Sequence, residues 1–169
     1  MGIVILGKAV QMTGKIAVGG ITKVEGLVVI KLLGAPTGQR LAERTLAGLG
    51  MQGINISCVT AFADREGLNN LSFAISDDNL DQTLGMLQTL QEELDLGKIE
   101  YTRGCAAVSI YGPHFSERPA IAGSVFEAVG EANVKILLIA TSFSTVLFIT
   151  SEAEVDVAVA SLNDKFLVP

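Results

Sequence analysis

Residues 28–34, VVIKLLG, are the best guide to the fold, because the pattern that they begin occurs twice in the chain. In each copy an apolar strand ends in glycine and is followed by a loop, an amphipathic helix and a second strand that opens with a turn containing Asn. The first copy reaches GINI at 53–56, and the second runs from VSIYG at 108–112 to NVKI at 133–136. An offset of about 80 residues is too long for a solenoid repeat and suits a small domain present twice.

Composition places the chain among compact globular proteins. Hydrophobic residues make up 49% and charged residues 18% of its 169 residues, so the core is well supplied. The formal net charge of -6 argues against a surface that follows nucleic-acid phosphates. The longest uncharged stretch, 136–151, is too short for a membrane span, and the first residues do not resemble a signal peptide. We therefore expect a cytoplasmic protein with neither nucleic acid nor membrane as a partner.

The residues that usually carry chemistry are few and scattered. Cys58 and Cys105 fall on predicted strands without metal or redox spacing, which indicates buried free thiols. A single histidine, the lack of clustered carboxylates and the lack of a glycine-rich phosphate loop argue against phosphoryl transfer. We predict no catalytic residues, no metal site and no cofactor, and hence a chain that is not itself an enzyme.

The hydrophobic periodicity of the first copy predicts the order βαββαβ. Apolar runs predict strands, and residues at helical spacing predict two helices that pack on them. The predicted elements are a strand at 27–33, a helix at 39–51, strands at 54–62 and 71–75, a helix from 77 to about 94, and a strand at 98–102.

The second copy repeats this order but lacks its final strand. Its last helix begins with Ser151-Glu152-Ala153-Glu154, a sequence in which Ser and Glu can satisfy each other's backbone donors. The segment 16–24 is apolar and β-prone, and we predict that it crosses over to complete the second sheet. The predicted domains are 25–104 and 105–169. The other predicted elements are a strand at 107–111, a helix at 119–132, and strands at 134–141 and 145–150.

These segments resemble the paired ACT domains of the aspartokinase regulatory region, from about residue 18 onward. The first family domain has Gly and Ile-Asn-Ile where this chain has Gly34 and 54–56. The second has Val-Ser-x-x-Gly, Asn-x-Asn-Ile and Thr-Ser, which are similar to 108–112, 133–136 and 141–142 here. The resemblance implies an α+β fold of two ferredoxin-like βαββαβ domains in tandem, with antiparallel sheets each covered by two helices. It also implies a regulatory region without the kinase domain.

The resemblance further implies a site for an amino-acid effector beside the loop after the first strand of each copy. Unpaired amides at a helix start attract a carboxylate, and an acidic or amide side chain accepts from an ammonium group. The resemblance carries this ligand site over to Thr37, Gly38, Arg40, Asn55, Ile56, Ser116, Lys135, Ile136, Thr141 and Ser142.

Several of these positions depart from the family pattern. The family's loop Asp falls on Thr37, its loop Gly on Arg40, and its second Asn in the second copy on Lys135. Either the effector differs from that of the family, for example by being more anionic, or the pockets are vestigial. Asn55 is explained equally well by a turn before the second strand, and the two cations are explained as solvated surface charges. Thr141 and Ser142 also suit a plain turn.

Three functions therefore remain open from the sequence. The chain is a regulatory subunit that binds Lys, Thr or Met and needs a kinase catalytic partner, an orphan sensor for another small molecule, or a structural dimerisation module. A homodimer is expected in each case. Small sheets with helices on one face leave the other face and an edge to be covered.

Overall fold

The computed structural model describes residues 15–112, 115 and 120–169. None of the helices in these ranges is long and apolar enough to cross a bilayer. The elements of this part of the chain are β1 (Ile16–Ala17), β2 (Gly20–Ala35), α1 (Leu41–Met51), β3 (Cys58–Ala63), β4 (Asn69–Ser76), a 3-10 helix (Asp77–Asn79), α2 (Leu80–Glu93), β5 (Lys98–Tyr111), α3 (Ile121–Glu131), β6 (Leu138–Thr141), β7 (Thr145–Ser151), α4 (Glu152–Lys165) and β8 (Phe166–Leu167).

Six of the described strands form one antiparallel sheet in the order β3-β4-β2-β5-β7-β6, and β1 pairs only with β8. β2 and β5 lie at its centre and belong to both copies of the repeat. The rear of β2 pairs with β4 and with the first part of β5, while the rear of β5 pairs with β7. The sequence prediction of two ferredoxin-like units with antiparallel sheets is confirmed, and the two units share their central strands.

The front of β2 supplies a strand to the second unit. Residues 20–24 pair with 107–111 of β5, on the side opposite to β7. This segment is continuous with the rest of β2 and is not a separate strand over 16–24. A second difference lies after α4, where Phe166–Leu167 forms a short strand parallel to Ile16–Ala17 although none was predicted. The domain limits 25–104 and 105–169 stay a prediction, because both central strands run across that division.

α1 and α3 end in the same backbone motif, which shifts the strands that follow them. Gly53 and Asn133 adopt left-handed φ values of 72° and 56° directly after the C-caps. In both places the next amide donates to the carbonyl five residues earlier, at 3.0 and 3.2 Å. The strands predicted to begin at 54 and 134 therefore begin at Cys58 and Leu138.

Each unit has a helix-facing core built from alternate strand residues. The helices supply the other side of each core, with apolar residues spaced three and four apart along one helix face. Fully enclosed members of the first core include Val28, Ile30, Leu32, Leu49, Phe73, Ile75 and Leu87. Those of the second include Ala106, Val108, Ile110, Val125, Val129, Phe148, Ala158 and Leu162.

A third apolar cluster lies on the helix-free face and joins the two units. Edge strands β3 and β6 lie at opposite ends of the strand order, yet they approach each other, so the sheet is folded over. Part of the face that was expected to need a partner is therefore covered inside the chain. The buried members of this cluster are Leu27, Val29, Cys58, Ala74, Cys105, Ala107, Leu138 and Ile149.

Two β-bulges produce an irregularity where the units meet. β2 has one extra residue at Gly26 and β5 has one at Gly104, and both glycines have left-handed φ values, 72° and 65°. Each bulge is bound to the start of a helix. The amide of Gly26 donates to Glu152 at 2.7 Å, and Arg103 Nε donates to Asp77 Oδ1 at 2.8 Å.

The prediction of a capping box at the start of α4 is wrong, because the hydrogen bonds that define it are not formed there. In the described chain no side chain caps the first amides of this helix. The Ser151 hydroxyl instead donates to Glu154 at 2.7 Å, and the other oxygen of that carboxylate accepts from the Lys135 amide at 3.1 Å. These bonds, the Ser151 bond first, lower the pKa of Glu154. The loop before β6 is thus bound to α4, and Thr150 Oγ1 adds a bond to the Lys135 carbonyl at 2.8 Å.

Candidate functional site

A cleft of about 510 Å³ opens where the start of α1 meets edge strand β3 and the beginning of β4. Its volume falls in the range of about 300–1,000 Å³ that is usual for small-molecule sites. The residues that line it are Gly38, Arg40, Leu41, Ala42, Glu43, Ala61, Phe62, Ala63, Asn69, Asn70 and Leu71.

The loop before α1 is held in place by the turn between β3 and β4. The Thr37 hydroxyl donates to the carbonyl of Gly67 at 2.8 Å. Asp64 shapes that turn, because its Oδ1 accepts from the amides of Glu66 and Leu68 at 3.0 and 2.9 Å. Thr37 therefore serves to dock the loop, and its hydroxyl proton is committed to the protein.

Arg40 precedes α1 in a conformation that favours glycine. Its φ is 53° and its ψ is 40°, in the left-handed region. The position is the one where the family resemblance expects a loop Gly, and its left-handed backbone is of the kind that glycine adopts most readily. No side chain of the described chain caps the amides of the first turn of α1. Amides of this kind attract an anion.

Arg40 and Glu43 form an ion pair at this helix start. Arg40 Nε donates to Glu43 Oε2 at 2.6 Å, and Arg40 Nη2 donates to the other carboxylate oxygen. Their side chains are 69% and 56% exposed, so solvent and ligands can reach both groups. The buried Asn70 amide is occupied, because Oδ1 accepts from Gly34 N at 3.0 Å and Nδ2 donates to Leu68 O at 3.1 Å.

Two of the predicted ligand residues of the first copy, Gly38 and Arg40, line the cleft, and Thr37 holds its loop. Asn55 is exposed in the segment between α1 and β3. Ile56 is half-buried and packs against the first core. Neither Asn55 nor Ile56 lines the cleft, and their role in binding stays a prediction.

The predicted ligand residues of the second copy are not brought into one cavity. Ser116 lies outside the described residues, and its loop is described only at Phe115. The Lys135 backbone bonds to the start of α4, as described above. Thr141 is exposed at the end of β6, and Ser142 forms the next turn, with its amide donating to Thr145 O at 2.8 Å.

Ile136 lines a second cleft, of about 470 Å³, where edge strands β3 and β6 come together. Six of the seven lining residues are apolar, and Ala61 and Phe62 also line the first cleft. The two clefts are therefore neighbours along β3. The residues lining the second cleft are Thr60, Ala61, Phe62, Ile136, Leu137, Leu138 and Ile139.

Glu43 and Phe62 are site residues that the sequence interpretation missed. Glu43 is not among the predicted ligand residues. Its spacing of three residues from Arg40, at a helix start, was the signal that could have placed both in one pair. Phe62 carried no signal of its own, because only the tertiary structure brings β3 beside α1.

The cysteines have the role that was predicted. Cys58 and Cys105 are free and buried, and burial raises the pKa of each thiol. Across the described ranges, no group of three or more His, Cys, Asp and Glu residues has an arrangement that could hold a metal ion.

The sequence of the chain is similar to a family model and to known aspartokinases. Residues 108–166 match the ACT domain family model. Aspartokinase 2 of Bacillus subtilis (strain 168) is 27% identical over 158 residues, which is 92% of this chain and 38% of that protein. The chain thus spans well under half the length of this relative.

Solved structures share the fold. The regulatory subunit of aspartate kinase from Thermus thermophilus, in its ligand-free form, superposes with a TM-score of 0.81 at 21% identity, covering 89% of this chain and 99% of that one. E. coli aspartokinase III in complex with lysine and aspartate gives 0.63 at 17% identity, covering 93% and 35%. Residues 108–166 therefore match the ACT domain family model, and the chain has the fold of an aspartokinase regulatory region, as the resemblance predicted.

Proposed function

We propose that this chain is an amino-acid-binding allosteric regulatory module of aspartokinase that is not catalytic by itself. The proposal rests on how much of each known protein the chain matches. Its fold superposes on 99% of the Thermus thermophilus regulatory subunit, and its sequence matches 38% of Aspartokinase 2. The cleft supports a ligand role, because free helix amides and an exposed ion pair suit both charged groups of an amino acid.

The proposal includes an effector and a partner. The effector is an amino acid of the aspartate family, such as Lys, Thr or Met, and the partner is a kinase catalytic subunit whose activity the module changes. The E. coli enzyme was solved with lysine and aspartate bound, and the Thermus protein is named a regulatory subunit. We carry amino-acid binding and the regulatory role over to this chain as part of the proposal. A cytoplasmic location is also part of the proposal.

The effector is expected to raise the melting temperature of the purified chain. A ligand that binds only the folded state adds about 2.7 kcal/mol to the free energy of unfolding when its free concentration is 100 times Kd. We would screen the twenty amino acids by thermal shift and confirm each hit by calorimetry. The D-enantiomer of each hit is the matched control, because it has the same charges with the wrong geometry and is expected to leave the melting temperature unchanged.

The pattern of hits separates the three functions. A rise with Lys, Thr or Met supports the aspartokinase regulatory module. A rise only with another small molecule moves the assignment to an orphan sensor. A flat panel contradicts amino-acid binding and leaves a dimerisation module with vestigial pockets.

A homodimer is also part of the proposal, and it is supported by the two edge strands. β3 and β6 end the strand order and form no ladder with each other, so within the described residues their outer backbone groups have no strand partner. Val59, Phe62 and Ile139 on these strands are 40%, 55% and 43% exposed. An apolar edge of this kind favours pairing with a second copy.

We expect light scattering at micromolar concentration to give twice the chain mass of 17.7 kDa. Val59→Lys is expected to shift the mass toward the monomer, because a charge on an edge strand opposes pairing. Val157→Lys, on the 51% exposed Val157 of α4, is the matched control. A monomeric mass for the unmodified chain would refute the homodimer.

A further inference from the structure

We propose that the Arg40–Glu43 pair is the recognition device of the cleft and that it selects an α-amino acid with an uncharged side chain. Arg40 and the first amides of α1 bind the ligand carboxylate, and Glu43 accepts from its ammonium group. This inference rests on the proposed function and narrows its effector class to exclude lysine.

The cleft offers one charge of each sign. Among the described residues that line it, Arg40 and Glu43 are the charged ones. Thr37, which takes the place of the family's acidic loop residue, supplies no carboxylate, and its hydroxyl donates to Gly67 O at 2.8 Å. Glu43 is therefore the lining group that can accept from an ammonium group with a full negative charge.

The Arg40–Glu43 ion pair can bind a ligand without being broken. A guanidinium has five N–H donors, and a carboxylate has about four lone-pair sites. Glu43 occupies donors on Nε and Nη2 of Arg40, and within the described part of the chain no acceptor bonds to Nη1. Both side chains are more than half exposed, and exposed ion pairs contribute little stability, so the geometry can adjust to a zwitterion at small cost.

The rest of the lining sets the side-chain preference. Once Arg40 and Glu43 hold the two charges of the ligand backbone, no further charged side chain of the described lining remains for a third charge. The ligand side chain meets Ala61, Phe62 and Ala63 of β3. An apolar wall of this kind offers no carboxylate to a lysine ammonium and favours contact with an uncharged group.

The test compares four charge-neutralising substitutions in one helix pair. Arg40→Gln and Glu43→Gln remove the cleft charges one at a time. Arg44→Gln and Glu93→Gln are matched controls, because Arg44 and Glu93 form an exposed ion pair between α1 and α2 outside this cleft. For the L-amino acid that gives the largest thermal shift with the unmodified chain, we expect the cleft variants to weaken binding about 10-fold or more in calorimetry. The controls are expected to stay within about twofold.

A ligand analogue provides a readout that a structural role would not change. The deaminated acid of the same amino acid lacks the group that Glu43 accepts from. It is therefore expected to bind more weakly to the unmodified chain and to be insensitive to Glu43→Gln, while Arg40→Gln still weakens it. Melting temperatures of all variants without ligand check that each remains folded.

The outcomes separate this inference from the function on which it rests. If no amino acid binds the unmodified chain, the proposed function and the recognition device both fail. If an amino acid binds and the cleft variants match the controls, the function stands and the recognition device is overturned. Preference for lysine, or for an acidic amino acid, over every uncharged one would overturn the selectivity.

Discussion

Phe148→Ala is expected to lower the free energy of unfolding by about 3–5 kcal/mol. Phe148 lies in β7 at the centre of the second core and is fully buried. Its ring contacts Phe126 edge to face, with centroids 6.3 Å apart and planes at 65°. Truncation removes this contact and leaves a cavity that the rigid sheet cannot close. Urea denaturation at a fixed protein concentration measures the loss, with Phe143→Ala at an 87% exposed position as the control.

Phe73→Ala tests the same effect in the first unit and shows whether the units unfold together. Phe73 lies in β4, fully buried in the first core. Because β2 and β5 belong to both units, we expect each substitution to lower the midpoint of one shared transition. Separate transitions for the two variants would contradict this coupling and would favour independent domains over 25–104 and 105–169.

Gly104→Val is expected to cost about 1–3 kcal/mol, because a β-branched residue is strained at a φ of 65°. A Cβ at this position would meet nothing within 4 Å, so the cost comes from the backbone alone. Relief of the strain requires loss of the bulge in β5 and a change in the register of β5 against β2. Thermal and urea denaturation measure the effect.

Gly123→Ala is the control for this substitution. Gly123 lies in α3, is exposed, and has open space around its added Cβ. Alanine is the better helix former there, and a gain of about 0.5–1 kcal/mol is expected. If Gly104→Val left stability unchanged, the left-handed bulge would not be a requirement of the fold.

The repeat predicted the fold well, because each copy carries its own periodicity. Strands at 58 and 138 begin 80 residues apart, matching the offset in the sequence. Their starts were placed four residues too early, since the helix-ending turns at Gly53 and Asn133 use residues that look like strand. The sequence left the second face of the sheet to be covered by a partner, and only the folded sheet shows that part of this face is covered by the other unit.

The site was less predictable than the fold. Gly38 and Arg40 could be placed by resemblance, because they follow a strand and precede a helix. Glu43 could not be placed in this way, because the family pattern quoted for the site does not include its position. Phe62 reaches the cleft only through the pairing of β3 with β4, which is a long-range contact.

The sharing of β2 by both units also sets the order in which the chain can fold. Gly20 pairs with Tyr111, so during synthesis of the chain the front of β2 is complete long before its partner strand. The rear of β2 can meet α1, β3 and β4 early, while the front waits as an open edge until β5 is complete. Contacts of such high sequence separation slow folding and leave strands available for mispairing. The later part of the chain therefore determines when its earliest long strand is protected.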